Sequence, residues 1–299
     1  MPQKPRSLAT QVADYTTNLG IRSVIYCALL LPYPTRVRLM GRLMQSVLGP
    51  MAGYRRRALR NLALVWPDMP PKRRRDIANR CLNNVGRTLI ENYSGREFRA
   101  RMAQVPLTGP GVAAFREAAA RQQPVILVSG HYGNYEAVRA ALVAQGHAVG
   151  GLYREMKNPF FNAHYARTLT DLGGPVFPKG RRGTGGFVRH LKQGGQLVLL
   201  FDQHVRHAPA VDFLGRPAHT ATSAADLSLR YNAVLIPFYG IRKPDGLTFD
   251  AVLEDPIEPA GALEMTQQLS DSLARRVDAD PAQWFWVHRR WRVRQRKTD

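Results

Sequence analysis

Two side chains in the stretch "VILVSGHYGNYEAVRAAL" could do acid–base chemistry together: His131 and, five positions on, Glu136. An imidazole titrates near neutral pH, so it can take a proton from a weak nucleophile. A carboxylate hydrogen-bonded to one ring nitrogen fixes the tautomer and leaves the other nitrogen as the base. The spacing alone decides little. With 8 His and 22 acidic residues in 299, such a coincidence is expected by chance, and His207 with Asp212 repeats it. The surroundings separate the two. His207 and Asp212 enclose "APAV" with Pro209 and no helix start, a loop pattern. His131 instead follows "PVILVS" and Gly130, and Asn134 is a good N-cap that puts Glu136 in a first helical turn. Residues five apart do not share a helical face. His131 and Glu136 are therefore expected to meet only if His131 stays in the turn and the chain folds back. Gly130 and Gly133 would let the backbone come close to a substrate.

The elements that must hold this turn are read from periodicity. Residues 54–100 read as helical throughout, in "YRRRALRNLALVWPD" and then "PPKRRRDIANRCLNNVGRTLIENY" after a Pro-Pro break. From residue 124 strands and helices alternate. "PVILVS", "AVGGLYR", "QLVLLFD" and "AVLIPFYG" read as strands, and "LTFDAVLE" as an edge strand. "NYEAVRAALVAQG", "NPFFNAHYARTLTDLGG", "TGGFVRHLKQGG", "TATSAADLSLRYN" and "ALEMTQQLSDSLARRVDAD" read as helices. This predicts an α/β fold on a largely parallel sheet, with ligands where strands end and helices begin. "GRRGTGG" lacks phosphate-loop spacing, and Thr184 there reads as a helix cap.

Lys plus Arg exceed Asp plus Glu by 43 to 22, a net charge of +21, which favours anionic partners: nucleic acid, anionic headgroups or an acidic protein. Cys27 and Cys81 have neither metal-ligand nor disulfide-framework spacing and read as small buried apolar side chains. "SVIYCALLLPYP" (23–34) is too short to span a bilayer. In "TRVRLMGRLMQSVLG" (35–49), Leu39, Met40, Leu43, Met44, Val47 and Leu48 form a helical stripe, with Arg36, Arg38 and Arg42 off it. That suits either a helix lying in a membrane interface or a cap on the protein's own core. Residues 1–53 are thus expected to be an amphipathic, membrane-associating helical segment, and residues 54–299 the main domain.

"SGHYGNYE" resembles the His-x4-Glu motif of the late (secondary) acyltransferases of bacterial lipid A biosynthesis, the lauroyl- and myristoyl-transferring enzymes. These are relatives of the His-x4-Asp/Glu glycerolipid acyltransferases. "RRRALRNLALVWPD", "YREMKNP", "LVLLFDQH", "VDFLGRPAHTAT" and "PAQWFWVHRRW" match in the same order, spanning about residues 54 to 291. The resemblance implies a glycerol-3-phosphate-acyltransferase-like α/β fold: a mixed, largely parallel sheet flanked by helices. It implies O-acyl transfer from a thioester of acyl carrier protein, or of coenzyme A, to a hydroxyl of an anionic glycolipid at the cytoplasmic face of the inner membrane. No metal or other cofactor is expected. His131 is then the general base and Glu136 its partner. Gly133, Asn134, Arg154, Arg167, Asp202 and Gln203 are candidates for substrate binding or for stabilising the oxyanion. Backbone N–H groups around Gly133 to Tyr135 are part of that set. Three departures from the pattern stand out: Arg154-Glu155 where many members have Arg-Pro, an arginine in the helix after "NP" that Arg167 matches only approximately, and an N-terminal apolar stretch shorter than the usual anchor.

The ending "QWFWVHRRWRVRQRK" interleaves Trp284, Trp286 and Trp291 with arginines. It is expected to be a final core strand whose arginines serve lipid phosphates or the membrane. Two other functions stay open. One is acylation of a different glycolipid or a lysolipid. The other is a basic nucleic-acid-binding protein, for which no helix-turn-helix, zinc or RNA-recognition motif is found.

Overall fold

The computed structural model describes residues 7–291. In chain order the elements are α1 (Leu8–Leu29), α2 (Tyr33–Leu43) running through a π-helical turn (Met44–Leu48) into α3 (Gly49–Met51), α4 (Tyr54–Val65), α5 (Pro71–Tyr93) and α6 (Gly95–Met102). There follow β1 (Leu107–Thr108), α7 (Gly111–Ala120), β2 (Val125–Ser129), α8 (Tyr135–Ala144), β3 (Val149–Tyr153), α9 (Pro159–Asp171), β4 (Val176–Pro178), α10 (Arg181–Lys192) and β5 (Gln196–Leu200). The last elements are β6 (Ala210–Phe213), β7 (Arg216–His219), α11 (Ser223–Tyr231), β8 (Val234–Arg242), β9 (Phe249–Leu253) and α12 (Ala262–Ala279).

Seven strands form one sheet in the order β1-β9-β8-β2-β5-β3-β4, and β6 and β7 make a separate antiparallel hairpin. All neighbours in the large sheet are parallel except β8 and β9. The fold is therefore α/β with a mixed, largely parallel sheet flanked by helices, as expected. "LTFDAVLE" supplies β9, but the two-residue β1 lies outside it, so β9 is second from the edge.

β2 sits at the centre with all five residues buried, which explains its unbroken apolar run. Side chains alternate across a strand. Ile126 and Val128 accordingly join a core with Leu269, Leu273, Trp284 and Trp286, while Val125 and Leu127 join the opposite core with Val138, Leu142 and Phe238. Each such burial stabilises by roughly 1.5–3 kcal/mol. A third core ties the N-terminal helices to the rest: Ile25, Ala28, Tyr33, Val37 and Met40 pack with Ile90, Phe98 and Phe249.

Several expectations are corrected. Residues 284–291 are not a strand: apart from one bridge at Trp284 they form turns, and the tryptophans reach the core from an irregular segment. Arg292, Arg294, Arg296 and Lys297 lie outside the described residues. The apolar stripe of residues 39–48 does not share one fate. Met40 is buried, whereas Leu39, Val47 and Leu48 are exposed. Arg36, expected on the solvent side, is buried, donating to Ser94 Oγ (3.1 Å) and pairing with Glu97. Cys27 is exposed, while Cys81 is buried as expected. Thr184 lies inside α10, whose N-cap is Gly180. Among the described residues no helix is long and apolar enough to cross a membrane.

Candidate active site

The parallel pairing of β2 with β5 builds the centre of the site. Ser129 and Leu200 are register partners at the C-terminal ends of these strands, so His131 and Asp202 each lie two residues past a paired end. The Asp202 Oδ1 accepts from the His131 ring at Nδ1 (2.7 Å), and its Oδ2 accepts from the His131 backbone N–H (2.8 Å). The Trp284 indole donates to the same Oδ2 at 3.0 Å. Asp202 is fully buried. Burial alone would raise its carboxyl, but the charge and hydrogen bonds of His131 outweigh that and hold it well below the usual carboxylate range. An ionised, acceptor-only Asp202 demands a proton on Nδ1, so the neutral ring presents Nε2 as its lone-pair nitrogen.

Glu136 does not fold back onto His131. Asn134 caps α8 as expected, its Oδ1 accepting from the Glu136 N–H at 3.1 Å. Glu136, however, bonds Arg139 Nε (2.7 Å). That guanidinium reaches on to the carbonyls of Leu169 (3.0 Å) and Gly173. Among the described residues the carboxylate on the His131 ring is Asp202, and the expected His131–Glu136 bond is corrected accordingly. The reason is geometric: the first turn of α8 points Glu136 toward α9, away from the strand ends.

The glycine-rich turn also differs from expectation. Gly133 has φ +57°, and a Cβ there would collide with the Gly240 carbonyl oxygen, so a left-handed residue without a side chain is required. Its N–H donates to Gln283 O (2.9 Å) and that of Asn134 to Gly240 O (2.9 Å). Both groups are thus spent on holding the turn to β8 and the C-terminal segment, and neither is free to meet an oxyanion. The Asn134 side chain donates to Glu91 Oε2 (3.0 Å), itself paired with Arg242 (2.7 Å), so the turn rests on a buried ion pair. Arg154 and Arg167 are exposed and do not line the cleft beside His131. Gln203 is exposed, and its backbone carbonyl accepts from Arg290 (3.4 Å). The loop expected for the decoy holds for His207, at φ +66°, but not for Asp212, which lies in β6 opposite Pro217, its Oδ1 accepting from the Gly215 N–H (3.0 Å).

Three participants were missed as such in the sequence: Asp202 as the partner of His131, Trp284 as a donor to it, and His288. The His288 ring meets that of His131 edge to face at 4.4 Å. Burial, reinforced by His131, pushes His288 down to about 3, so it stands neutral beside the His131 ring. His131, Asp202 and His288 offer one ligand atom each within 4.8 Å of one another, a spacing a divalent ion could bridge, although the His131–Asp202 bond already occupies two of them. Arg290, expected to serve lipid, is instead buried. It donates to Thr220 Oγ1 (2.6 Å) and His219 O (3.2 Å), with burial lowering it to about 10 against the opposing pull of Asp202.

His131 opens onto a cleft of about 260 Å³. Its walls are mostly apolar: Met44, Val85, Leu89, Tyr135, Met156, Tyr165, Leu169 and Phe285. An imidazole held at its far nitrogen by a buried carboxylate, beside a cleft that suits a hydrocarbon chain, is the arrangement of a candidate enzyme site for a lipid-like substrate.

Comparison with known proteins gives the class a name. The profile of the family described as bacterial lipid A biosynthesis acyltransferase matches residues 2–293, and the chain belongs to that family. It is 26% identical over 286 residues to the lipid A biosynthesis lauroyltransferase of Escherichia coli (strain K12), covering 94% of this chain and 92% of that one. A lipid A biosynthesis acyltransferase of Haemophilus influenzae (strain ATCC 51907 / DSM 11121 / KW20 / Rd) is 24% identical over 305 residues, covering 98% of this chain and 95% of that one. The protein is an acyltransferase.

Proposed function

We propose that the protein transfers a fatty acyl chain directly from the thioester of an acyl carrier protein to a hydroxyl of a lipid A precursor, with His131 as general base. The observation that carries this is the His131–Asp202 pair at the rim of the apolar cleft. As the acceptor oxygen attacks the thioester carbonyl, Nε2 takes the hydroxyl proton and Asp202 stabilises the imidazolium. Collapse of the tetrahedral intermediate breaks the C–S bond, and the proton passes to the leaving thiolate. Asp202 and His288 are positioning residues in this scheme, and Glu136 positions α8 through Arg139.

Direct transfer is favoured by the nucleophiles at hand. Cys81 lines the cleft, but burial pushes its thiol up to about 12 and it donates to Trp284 O (3.2 Å), which makes it inert. The net charge of +21 suits an acidic carrier and a phosphorylated glycolipid.

The reading includes attachment at the cytoplasmic face of the inner membrane, and the surface of α1 supports contact with a membrane. Leu8, Val12, Tyr15, Leu19, Tyr26 and Leu30 are all exposed and fall on one helical stripe, broken by Arg22. Tyr15 meets Phe160 edge to face at 5.4 Å, close in sequence to the cleft residue Met156. An interfacial helix would thus sit beside the mouth through which a lipid enters.

The test is transfer in vitro from a set of carrier-protein and coenzyme A thioesters, with mass spectrometry of lipid A from a deletion strain. Transfer with the carrier thioester and loss of one acyl chain from lipid A are expected. Intact lipid A with a defect in another lipid would redirect the proposal to a different glycolipid or lysolipid acceptor.

A further inference from the structure

Next to the acyl cleft lies a second depression of about 390 Å³ with opposite character. The two share Asn84 and Gln283 in their walls, so they adjoin. The second is lined by four cationic side chains, Arg80, Arg87, Arg242 and Lys243, and by one carboxylate, Asp280. Most of this charge is already answered. Arg242 is paired with buried Glu91, Lys243 with Asp250 (3.0 Å) and Arg80 with Asp280 (3.3 Å).

Arg87 is different. Its hydrogen bonds are to neutral acceptors, Asn83 Oδ1 (2.6 Å) and Gly246 O (2.9 Å). These fix the guanidinium through Nε and Nη1, and among the described residues no carboxylate pairs with it. Burial lowers its pKa, and the nearby charges of Arg242, Arg38 and Arg42 lower it further against the pull of Glu91. A guanidinium held rigid by neutral partners, within a cluster of like charges, is arranged for an anion from outside.

We infer that this depression binds a phosphate monoester on the acceptor lipid, with Arg87 as its anchor. The proposal rests on the acyl-transfer reading and adds the place where the acceptor is gripped. A lipid phosphate fits better than the phosphate of a carrier arm because of what borders the depression. Gln45, in its wall, lies in the π-helical turn that also exposes Val47 and Leu48, with Leu39 and Met51 exposed on either side. A headgroup phosphate at Arg87 would therefore leave its own acyl chains beside an apolar surface, while the sugar hydroxyls extend along Asn84 and Gln283 toward His131.

The test has a binding arm and a kinetic arm. Calorimetric titration with dihexanoyl phosphatidic acid is expected to show binding that dihexanoylglycerol lacks. Arg87→Met should weaken it about tenfold, as loss of one charge-assisted hydrogen bond predicts, and Arg87→Lys by less. Arg116→Met, which removes an exposed charge elsewhere, should leave it unchanged, with circular dichroism and melting confirming that each variant is folded. In acyl transfer, Arg87→Met should raise KM for the acceptor about tenfold and leave KM for the thioester within about twofold. Equal binding by wild type and Arg87→Met overturns the inference. So does an effect on the thioester KM alone, which would give the site to the carrier arm. Arg87-dependent binding by an enzyme that fails to acylate a lipid A precursor would instead overturn the acceptor assignment and leave the phosphate site standing.

Discussion

Two carboxylates flank His131, one beneath it in space and one ahead of it in sequence, and they face different partners. Asp202, at the end of β5, faces a histidine whose remaining nitrogen is left for the cleft. Glu136, in the first turn of α8, faces Arg139, whose bonds to Leu169 O and Gly173 O lock α8 against α9. Both acids are buried and both have a cationic or cationisable partner. What separates them is where that partner leads: into the substrate space in one case and into the protein's own backbone in the other. On the proposed mechanism, a buried pair can serve catalysis only where one member keeps an unsatisfied face toward substrate.

This contrast can be broken by four measurements. The largest effect belongs to His131→Ala, which is expected to lower kcat by at least about 10²–10⁴ in protein that circular dichroism shows to be folded, with a lowered melting temperature because buried Asp202 loses its partner. Asp202→Asn comes next. An amide can donate to Nδ1 and stabilise the wrong tautomer, so a loss of about 10²–10⁴ in kcat with little change in KM is expected. If Glu136→Gln proved more damaging to kcat than Asp202→Asn in folded protein, the assignment of roles would be reversed.

Glu136→Ala should act mainly on stability, because it leaves the Arg139 guanidinium buried and unpaired, at about 3–5 kcal/mol. Denaturant unfolding of the double variant with Arg139→Met should recover much of that loss, and simple additivity would contradict the pairing. The smallest effect concerns His288. Its folded pKa of about 3 lies below the unfolded value of 6.5, so the unfolded chain binds the extra proton between them. Its contribution is present above pH 6.5 and declines by about 1.4 kcal/mol per pH unit as pH falls toward 3. Replacing it with Phe, which keeps an aromatic edge against His131, should reduce the slope of unfolding free energy between pH 6.5 and 4.5, leaving the part due to half-buried His147 and His164. An unchanged slope would show that another group titrates there.

Much of the fold was legible. The apolar run of β2, the Asn134 cap and the alternation after residue 124 are local signals, and each corresponds to an observed element. The elements that misled are those whose burial depends on distant partners. "QWFWVHRRW" has strand-like residues, yet its side chains are fixed by contacts to Asp202, Pro281 and Thr220 and not by a ladder. Arg36 looks solvent-facing on its own helix, but α6 brings Ser94 and Glu97 to meet it.

By itself the sequence determined that His131 sits in a turn after a buried strand, that Glu136 begins a helix, and that the chain resembles an acyltransferase family. It carried Asp202 only as one candidate among several. The tertiary structure decided which acid serves the histidine, because that choice depends on β2 and β5 lying side by side in a particular register. Seventy-one residues separate His131 from Asp202, and no local pattern encodes which strands will be neighbours. The same holds for the anion site proposed at Arg87: its residue types are visible in the chain, but only packing reveals that, among the described residues, no carboxylate pairs with Arg87.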